Sequence, residues 1–530
     1  MPTLAGWLTG EQVPQEFIEQ ALITMGEVLG RAGGQPARTT QPGAGLIAFS
    51  DPAYSTQHNT EPPVLDWVPD RRTLVYRRPL SGLHPLYYIE NWPAQGNLLF
   101  ASEIKALFAV GVPRRLHLAA LDALLRYGFI PAPLTAFKEI YVVPAGSILR
   151  WQRATTVLNW STDYQLEQRL KADEARASLH QLLQEAVASL LPSHEQLVAF
   201  SNGDSASALA IALAAQRTSA PFTVASLGYK KMKSKQIWQE AERVATSCQL
   251  PFLAITGLDQ PEFWVATLNG LEAPVTNSRM LALHQLFHTT AMETGARVAI
   301  SATGAHLLTG SGQLEPKPSY HKREDIFQRY SRTIAPRWTG KADELWSADT
   351  LAQLQQEEPW EETLHARKLA RKASQFTDVS QGQYYLDLHL RLPDLLVNAM
   401  QALATPERMA IRSPFLHMQV IEALVRLPMS QQTEQAGPAL LTQLARQYIP
   451  DIGLESLTSS LEAPSASLLH LDGSELLAEL LSVEALKSRG IFNQRIIQQL
   501  FSERQTPGNR RALLLVFTTQ LLCHLFAADL

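Results

Sequence analysis

The sequence predicts an α/β protein: a strand-rich N-terminal part, then a doubly wound parallel sheet that gives way to helices. Three observations predict it. Up to residue 155, short apolar runs are closed by Pro, Gly and Asn, the punctuation of strands and turns. Between residues 195 and 315, short apolar runs alternate with helical periodicity, the mark of parallel strands joined by crossover helices. Beyond residue 325, helical periodicity dominates.

Taken in order, strands are expected at 74–77, 86–89 and 97–101, with one last strand over 151–158. Residues 166–191 turn helical, with Leu170, Leu179, Leu182, Leu183, Ala186 and Leu190 on a broad apolar face. A buried strand at 196–200 ends in Ser201-Asn202-Gly203-Asp204-Ser205 and turns into a helix over 206–216. Strands at 222–227, 252–255 and 297–301 bring the parallel sheet to four, with a helix running from Trp238 towards Cys248. The polar stretch 338–359 reads as a mobile connection, and the apolar run 512–517, broken by Thr518, Thr519 and Gln520, as a buried C-terminal helix. The expected division is 1–158 and 165–530, the second unit having its sheet core over 195–315 and helices over 325–530; a length of 530 residues suits two or three domains of about 150.

Composition narrows the function. Hydrophobic residues at 45% and charged residues at 18% exclude wholesale disorder. Lys+Arg 46 against Asp+Glu 50 gives −4, so no general positive field exists to recruit nucleic acid or an anionic membrane, and neither is expected as a partner. The short basic run Lys230-Lys231-Met232-Lys233-Ser234-Lys235 reads as a solvated loop. No apolar run nears about 18 residues, and the first residues lack a signal-peptide pattern, so a soluble cytoplasmic protein is expected. Cys248 and Cys523 are too few for a disulfide framework or a zinc site and read as packed thiols. His284 and His288, one helical turn apart, read as a hydrogen-bonded face rather than a metal pair.

The strand-turn-helix at 200–213 carries the most chemistry. In such sheets ligands bind beyond the carboxyl ends of strands, and a helix N-terminus offers unpaired N–H groups to an anion. Ser201, Gly203 and Ser205 could admit a phosphate by close backbone approach and hydroxyl donation. An ordinary helix N-cap by Asp204 or Ser205 explains the same residues. The loop alone leaves both readings open.

Motifs along the whole chain resemble the asparagine-synthetase-like amide-forming enzymes, which include the β-lactam synthetases and lasso-peptide cyclases. Gly82-Leu83-His84-Pro85-Leu86-Tyr87-Tyr88 is similar to the family's G-x-K-P-L-Y-Y, and Phe100-Ala101-Ser102-Glu103-Ile104-Lys105-Ala106-Leu107 keeps its F-A-S-E-[IL]-K-A-L intact. Tyr127-Gly128-Phe129-Ile130-Pro131-Ala132-Pro133, with Thr135-Ala136-Phe137, resembles Y-x-P-x-P-x-T-I-F, and Val143-Pro144-Ala145-Gly146 resembles L-P-P-G. Leu271-Glu272-Ala273-Pro274 and Arg412-Ser413-Pro414-Phe415-Leu416 look like later signatures. The resemblance implies an N-terminal glutaminase-like domain of αββα (Ntn) type and a C-terminal adenine-nucleotide-hydrolase-like synthetase domain. In the family, ammonia from the first meets a carboxylate adenylated by ATP in the second.

The chain departs from the family where this chemistry resides. Pro2 stands at the nucleophilic cysteine position, and Pro79 replaces the Asp of R-D-x-x-G. The pyrophosphatase loop S-G-G-x-D-S aligns with Ser201-Asn202-Gly203-Asp204-Ser205-Ala206, leaving Ser205 at the metal-binding Asp unless one residue is deleted. In the second acidic motif His306 and Leu307 replace the Asp and Glu, and neither can serve Mg²⁺ as a hard oxygen ligand. Gln401, Ala410 and His417 stand at three further acid positions, and the late basic motif falls on 456–461, which hold no basic residue.

The expectation is therefore a catalytically degenerate homologue without glutaminase activity, acting as a scaffold, partner or substrate-binding subunit in an amide-forming system. The alternative is an adenylating amide or peptide-bond synthetase that needs no glutaminase. In that case Ser201, Gly203, Asp204, Ser205, Ser301 and Gly304 would form an altered ATP site, with ATP and Mg²⁺ as cofactors. No metal is otherwise expected. Expected partners are an active paralogue or biosynthetic enzyme, in a homo- or heterodimer, and a peptide or small-molecule carboxylate.

Overall fold

Strand alternation builds the N-terminal part. In the first strand Leu4 and Leu8 enter one core and Ala5 another, because successive side chains of a strand point to opposite faces. The computed structural model describes residues 3–10, 13–30, 35–50, 64–166, 172–192, 194–229, 232–257, 261–310, 325–334, 342–427, 436–450, 475–503 and 506–530. The strands of this part are β1 (Thr3–Leu8), β2 (Gln35–Gln41), β3 (Ala44–Ser50), β4 (Val64–Val68), β5 (Thr73–Arg77), β6 (Tyr87–Glu90), β7 (Leu98–Ala101), β8 (Tyr141–Val142), β9 (Ser147–Gln152) and β10 (Thr155–Trp160). They form two antiparallel sheets, β2-β3-β1-β7-β6-β8 and β10-β9-β5-β4.

Leu4, Leu8, Tyr76, Phe100, Leu149 and Trp151 fill the space between the two sheets. Gly6 permits this, since a Cβ there would lie 2.3 Å from Cζ of Phe100, whose ring covers the bare backbone. The far face of the six-stranded sheet is covered by α1 (Gln15–Leu29) and α2 (Ile104–Ala109), α1 turning Ile18, Leu22, Met25 and Leu29 inward at helical spacing.

Three expectations are corrected. The single strand at 151–158 is a hairpin: Arg153 and Ala154, both at positive φ, turn the chain from β9 into β10 with none of the Gly or Asn that usually marks such a turn. Strands β1 to β4 were absent from the expected set. β1 to β3 are interspersed with Ala, Gly or Thr, so apolar alternation is faint, and β4 is a run of only five residues. The basic run enters a helix at Met232, so it is not a loop throughout; Lys230 and Lys231 lie outside the described residues.

The first part also holds α3 (Leu118–Tyr127); the second opens with α4 (Ala172–Leu190) and centres on a five-stranded sheet of β11 (Leu197–Phe200), β12 (Thr223–Gly228), β13 (Phe252–Thr256), β14 (Val298–Ile300) and β15 (Ala410–Arg412). The order is β13-β12-β11-β14-β15, every pair parallel. Four strands were expected and found. The fifth, β15, comes from the stretch expected to be helical; at three residues it carries no periodicity to read. Between strands run α5 (Ser205–Ala215), α6 (Met232–Ser247), α7 (Pro261–Leu271), α8 (Arg279–Thr294) and the short α9 (Ala305–Leu308). Helix α5 is Ala-rich and buried on every side, so it serves as a central pillar. The C-terminal helix Pro507–Phe526 is buried along almost its whole length against α7 and α3, as its apolar run predicts. The expected mobile connection is ordered where it is described: Leu345 and Trp346 are buried, and Trp346 stacks on Phe492 with ring centroids 5.4 Å apart. Cys523 is buried and Cys248 partly so, and burial pushes both thiols up to about 11.

The two parts meet along a seam rich in hydrogen bonds between side chains and main chain. Side chains of the second part accept main-chain N–H groups of the first. Glu272 takes those of Ile104 and Lys105, each at 2.7 Å. Asp394 takes that of Ala132 at 2.8 Å, and Glu357 that of Ala119 at 2.9 Å. Glu272 thereby satisfies two of the N–H groups that the start of α2 leaves unpaired. Ser102 accepts the N–H of Leu4 at 3.1 Å, and Trp360 donates to the carbonyl of Ala132 at 2.9 Å. The motif segments 100–107 and 127–137 thus lie where strand ends and seam are built, a structural reason for their persistence.

Candidate phosphate crevice

The sheet order sets the place. From β11 the chain goes to β12 and β13 on one side, and β14 and β15 lie on the other, so a crevice opens beyond the carboxyl ends of β11 and β14. Beyond β11, Ser201 N–H still pairs with the carbonyl of Ala225 at 3.0 Å. The hydroxyl of Ser201 then accepts the N–H of Gly203 at 3.2 Å, and Gly203 turns at φ +77°, a conformation suited to glycine. Asp204 is the N-cap of α5: its carboxylate accepts the N–H of Ser207 at 2.7 Å. Ser207 donates its hydroxyl to Asn202 Oδ1 at 3.0 Å, which ties the loop to the first helical turn.

The facing wall comes from β14. Ser301 receives the N–H of Thr303 at 3.1 Å, and Ser413 donates to the carbonyl of Thr303 at 2.8 Å, so the turn is pinned from β15's side. Gly304, at φ +93°, caps α9, and a Cβ there would come within 3.1 Å of Leu416. Helix α9 then projects His306 across the crevice, where its Nε2 is hydrogen-bonded to the second carboxylate oxygen of Asp204.

This contact dominates the electrostatics. Burial by itself would raise the Asp204 carboxyl, but the His306 charge and hydrogen bond, with the bonds from Ser207, outweigh it and hold the group well below the ordinary carboxylate range. Burial likewise opposes the charged imidazole, yet the Asp204 charge and hydrogen bond prevail and raise His306 above its usual value. Arg279, at the start of α8, acts on His306 in the opposite sense and so is a second cation beside the crevice.

These residues do not fit Mg²⁺. The ion takes hard oxygen ligands in near-octahedral array. Both oxygens of Asp204 are engaged, one by Ser207 and one by an imidazole, and Leu307 is buried in the apolar core. Among the described residues, no three or more His, Cys, Asp or Glu side chains gather as a metal-ligand set.

Of the remaining positions singled out in the sequence, only Ser201, Gly203, Asp204, Ser205, Ser301, Gly304 and His306 come together. Gln401 stands in the seam, where Oε1 accepts the N–H of His84 at 2.8 Å. Ala410 lies in β15 opposite Val298 and packs on it. Arg412 is buried and donates to the carbonyl of Leu190 at the end of α4, a structural task. His417 stands at the N-cap position of the helix Met418–Val425, its side chain making no capping bond. Pro2 and residues 456–461 lie outside the described residues. His284 and His288 both contact Glu407, at 3.3 and 3.1 Å, which makes them a hydrogen-bonded helix face. The sequence reading passed over Ser207, although its place three residues after Asp204 marks an N-cap pair, and Arg279, for which no local signal exists.

Comparison with known proteins adds the following. A family model described as asparagine synthase matches residues 178–524, and one described as a glutamine amidotransferase domain matches residues 65–164. No curated protein gives a significant match. Among solved structures, an NMN synthetase from Francisella tularensis is 16% identical over 39% of this chain and 94% of its own, with a TM-score of 0.19. An NH3-dependent NAD synthetase from Campylobacter jejuni, in complex with the nitrate ion, is 15% identical over 44% of this chain and 94% of its own, also with a TM-score of 0.19. At that score neither bears on the fold, which rests on the sheet order above. Among the described residues, no helix is long and apolar enough to cross a membrane.

Proposed function

The chain belongs to the asparagine synthase family, and from that premise we propose that it neither hydrolyses glutamine nor cleaves ATP, serving instead as a scaffold, partner or substrate-binding subunit in an amide-forming system. One observation carries this reading: the His306 imidazole occupies the carboxylate of Asp204, the one acid of the pyrophosphatase loop. A divalent cation would have to displace a charged imidazole from a buried carboxylate and would then find Leu307 where the family supplies a second acid. Pro2 at the nucleophile position supports the loss of the glutaminase half.

The alternative, a glutaminase-independent adenylating synthetase, draws on the open N-terminus of α5 and on a partner subunit bringing the missing acids. Incubation with ATP, Mg²⁺, glutamine and a panel of carboxylates decides between the two. No AMP, pyrophosphate or glutamate above the protein-free control is expected. AMP and pyrophosphate released together on adding a carboxylate would overturn the proposal and establish the alternative.

A further inference from the structure

We infer that a cleft at the junction of the two parts binds an organic cation of guanidinium or amidinium type, held between the carboxylates of Glu361 and Asp325. The cleft encloses about 430 Å³ and shares no lining residue with the crevice of β11 and β14. Arg126 and Tyr127, at the end of α3, form one wall. Asp325 and Phe327 at the start of the helix Ile326–Ile334, Glu361 in the turn Trp360–Glu362 and Arg367 in the helix Leu364–Ala373 form the other. A cleft of this size where domains meet is a common setting for a small ligand.

Charge selects the ligand. Both cations of the cleft are already paired, Arg126 with Asp122 at 2.6 Å and Arg367 with Glu362. Asp122 is 9% exposed and its Oδ1 has no hydrogen-bond partner among the described residues, so Arg126 answers a buried acid and is not free to turn to Glu361. Glu361 and Asp325 have no ion-pair partner among the described residues. Glu361 accepts the Tyr127 hydroxyl at 2.6 Å, and Asp325 the N–H groups of Phe327 and Gln328 at 2.8 and 3.3 Å. Burial first, and then both of these charges, push the Tyr127 phenol up, which sets two uncompensated carboxylates about one hydroxyl.

Shape narrows the class. Tyr127 and Phe327 give the cleft an aromatic wall, and Trp360 braces both rings edge-on, with centroids 5.3 and 4.8 Å away. Trp360 is 1% exposed and donates to the carbonyl of Ala132, which fixes that wall to the first part. A hydrated inorganic ion gains little from such a wall. A planar, delocalised cation stacks on it and carries several N–H donors for two carboxylates. Its source is either a free small molecule or an arginine side chain of a partner.

Titration calorimetry of the full chain with benzamidine, and with benzamide as a neutral counterpart of the same shape, tests this. Benzamidine should bind roughly tenfold or more tightly than benzamide. Glu361→Gln keeps an acceptor for the Tyr127 hydroxyl, and Asp325→Asn keeps the helix cap, so both variants should melt as the natural protein does. Each should weaken benzamidine roughly tenfold, the worth of one hydrogen bond to a charged group. N-acetylarginine amide and agmatine then separate the sources: tighter binding of the first marks an arginine side chain, of the second a free small molecule. Benzamide binding as tightly as benzamidine, benzamidine binding indifferent to both substitutions, or no heat at millimolar benzamidine would overturn the inference. None of these outcomes bears on the proposed function, which falls only if AMP is formed.

Discussion

Gln401 Oε1 accepts the main-chain N–H of His84 at 2.8 Å, joining the helical end of the chain to a turn between β5 and β6. A family acid position has become a structural acceptor in the seam. Glu272, Asp394 and Glu357 repeat the arrangement, while Trp360 and Arg511 donate in the other direction, to the carbonyls of Ala132, Leu124 and Leu125.

Removing such an acceptor strands buried donors. Glu272→Ala leaves the N–H groups of Ile104 and Lys105 unsatisfied and is expected to cost about 2–5 kcal/mol, whereas Gln401→Ala strands one group and should cost about 1–3 kcal/mol. Urea unfolding measures both. A loss below about 1 kcal/mol for Glu272→Ala would mean that water satisfies the seam equally well.

The stability contributed by Glu272, Asp394 and His306 should fall as pH rises from 5 towards 8, against a contribution of opposite sign from buried histidines such as His84 and His365, which burial lowers to about 3. Burial raises the Glu272 carboxyl from 4.5 to about 7 against the opposing charge of Lys105, and raises Asp394 from 3.8 to about 7 against Arg78. With folded values above unfolded ones, the unfolded chain releases these protons first, so rising pH favours unfolding up to about 7. His306 acts in the same direction: its raised value means a contribution complete below 6.5 and lost as pH climbs through the folded value. Urea midpoints at pH 5, 6, 7 and 8 should show the Asp394→Asn variant gaining on the natural protein as pH rises, because the variant lacks the falling contribution of Asp394. A variant that gains nothing over this range contradicts the assignment.

His306→Asp would set two carboxylates face to face. In EDTA the variant should lose about 3 kcal/mol or more, the usual consequence of depriving a buried charge of its partner. Mg²⁺ should restore part of that loss in the variant and leave the melting temperature of the natural protein unchanged. A rise for the natural protein on adding Mg²⁺ would show that the ion still binds.

Asp204→Asn separates the two roles of Asp204. Asparagine is an equally good N-cap, so helix α5 should stay intact, while His306 loses its counter-charge and titrates at lower pH. Histidine NMR titration reads this directly. Asp204→Ala should lose a further ~1 kcal/mol for the cap. An unchanged His306 titration in Asp204→Asn would break the ion-pair account.

Much of the architecture was legible because it is local. Strands β11 to β14 are apolar runs set between helical stretches, and the C-terminal helix announces itself in a continuous apolar run. β15 was not legible, since three residues within a helical stretch become a strand only by pairing with β14. The β9–β10 hairpin was missed because Arg153 and Ala154 hold positive φ where the strand register, rather than their own preference, imposes it.

The candidate site divides in the same way. By itself the sequence determined the fold class, the resemblance to a family and the substitutions at Pro2, His306, Leu307, Gln401 and Ala410, because identity and spacing are properties of the chain. Only the tertiary structure decided that His306 neutralises Asp204 across 102 residues, that Gln401 serves the seam, and that Leu307 is core. Burial and charge pairing depend on which elements the sheet brings together, and no local stretch of sequence encodes that.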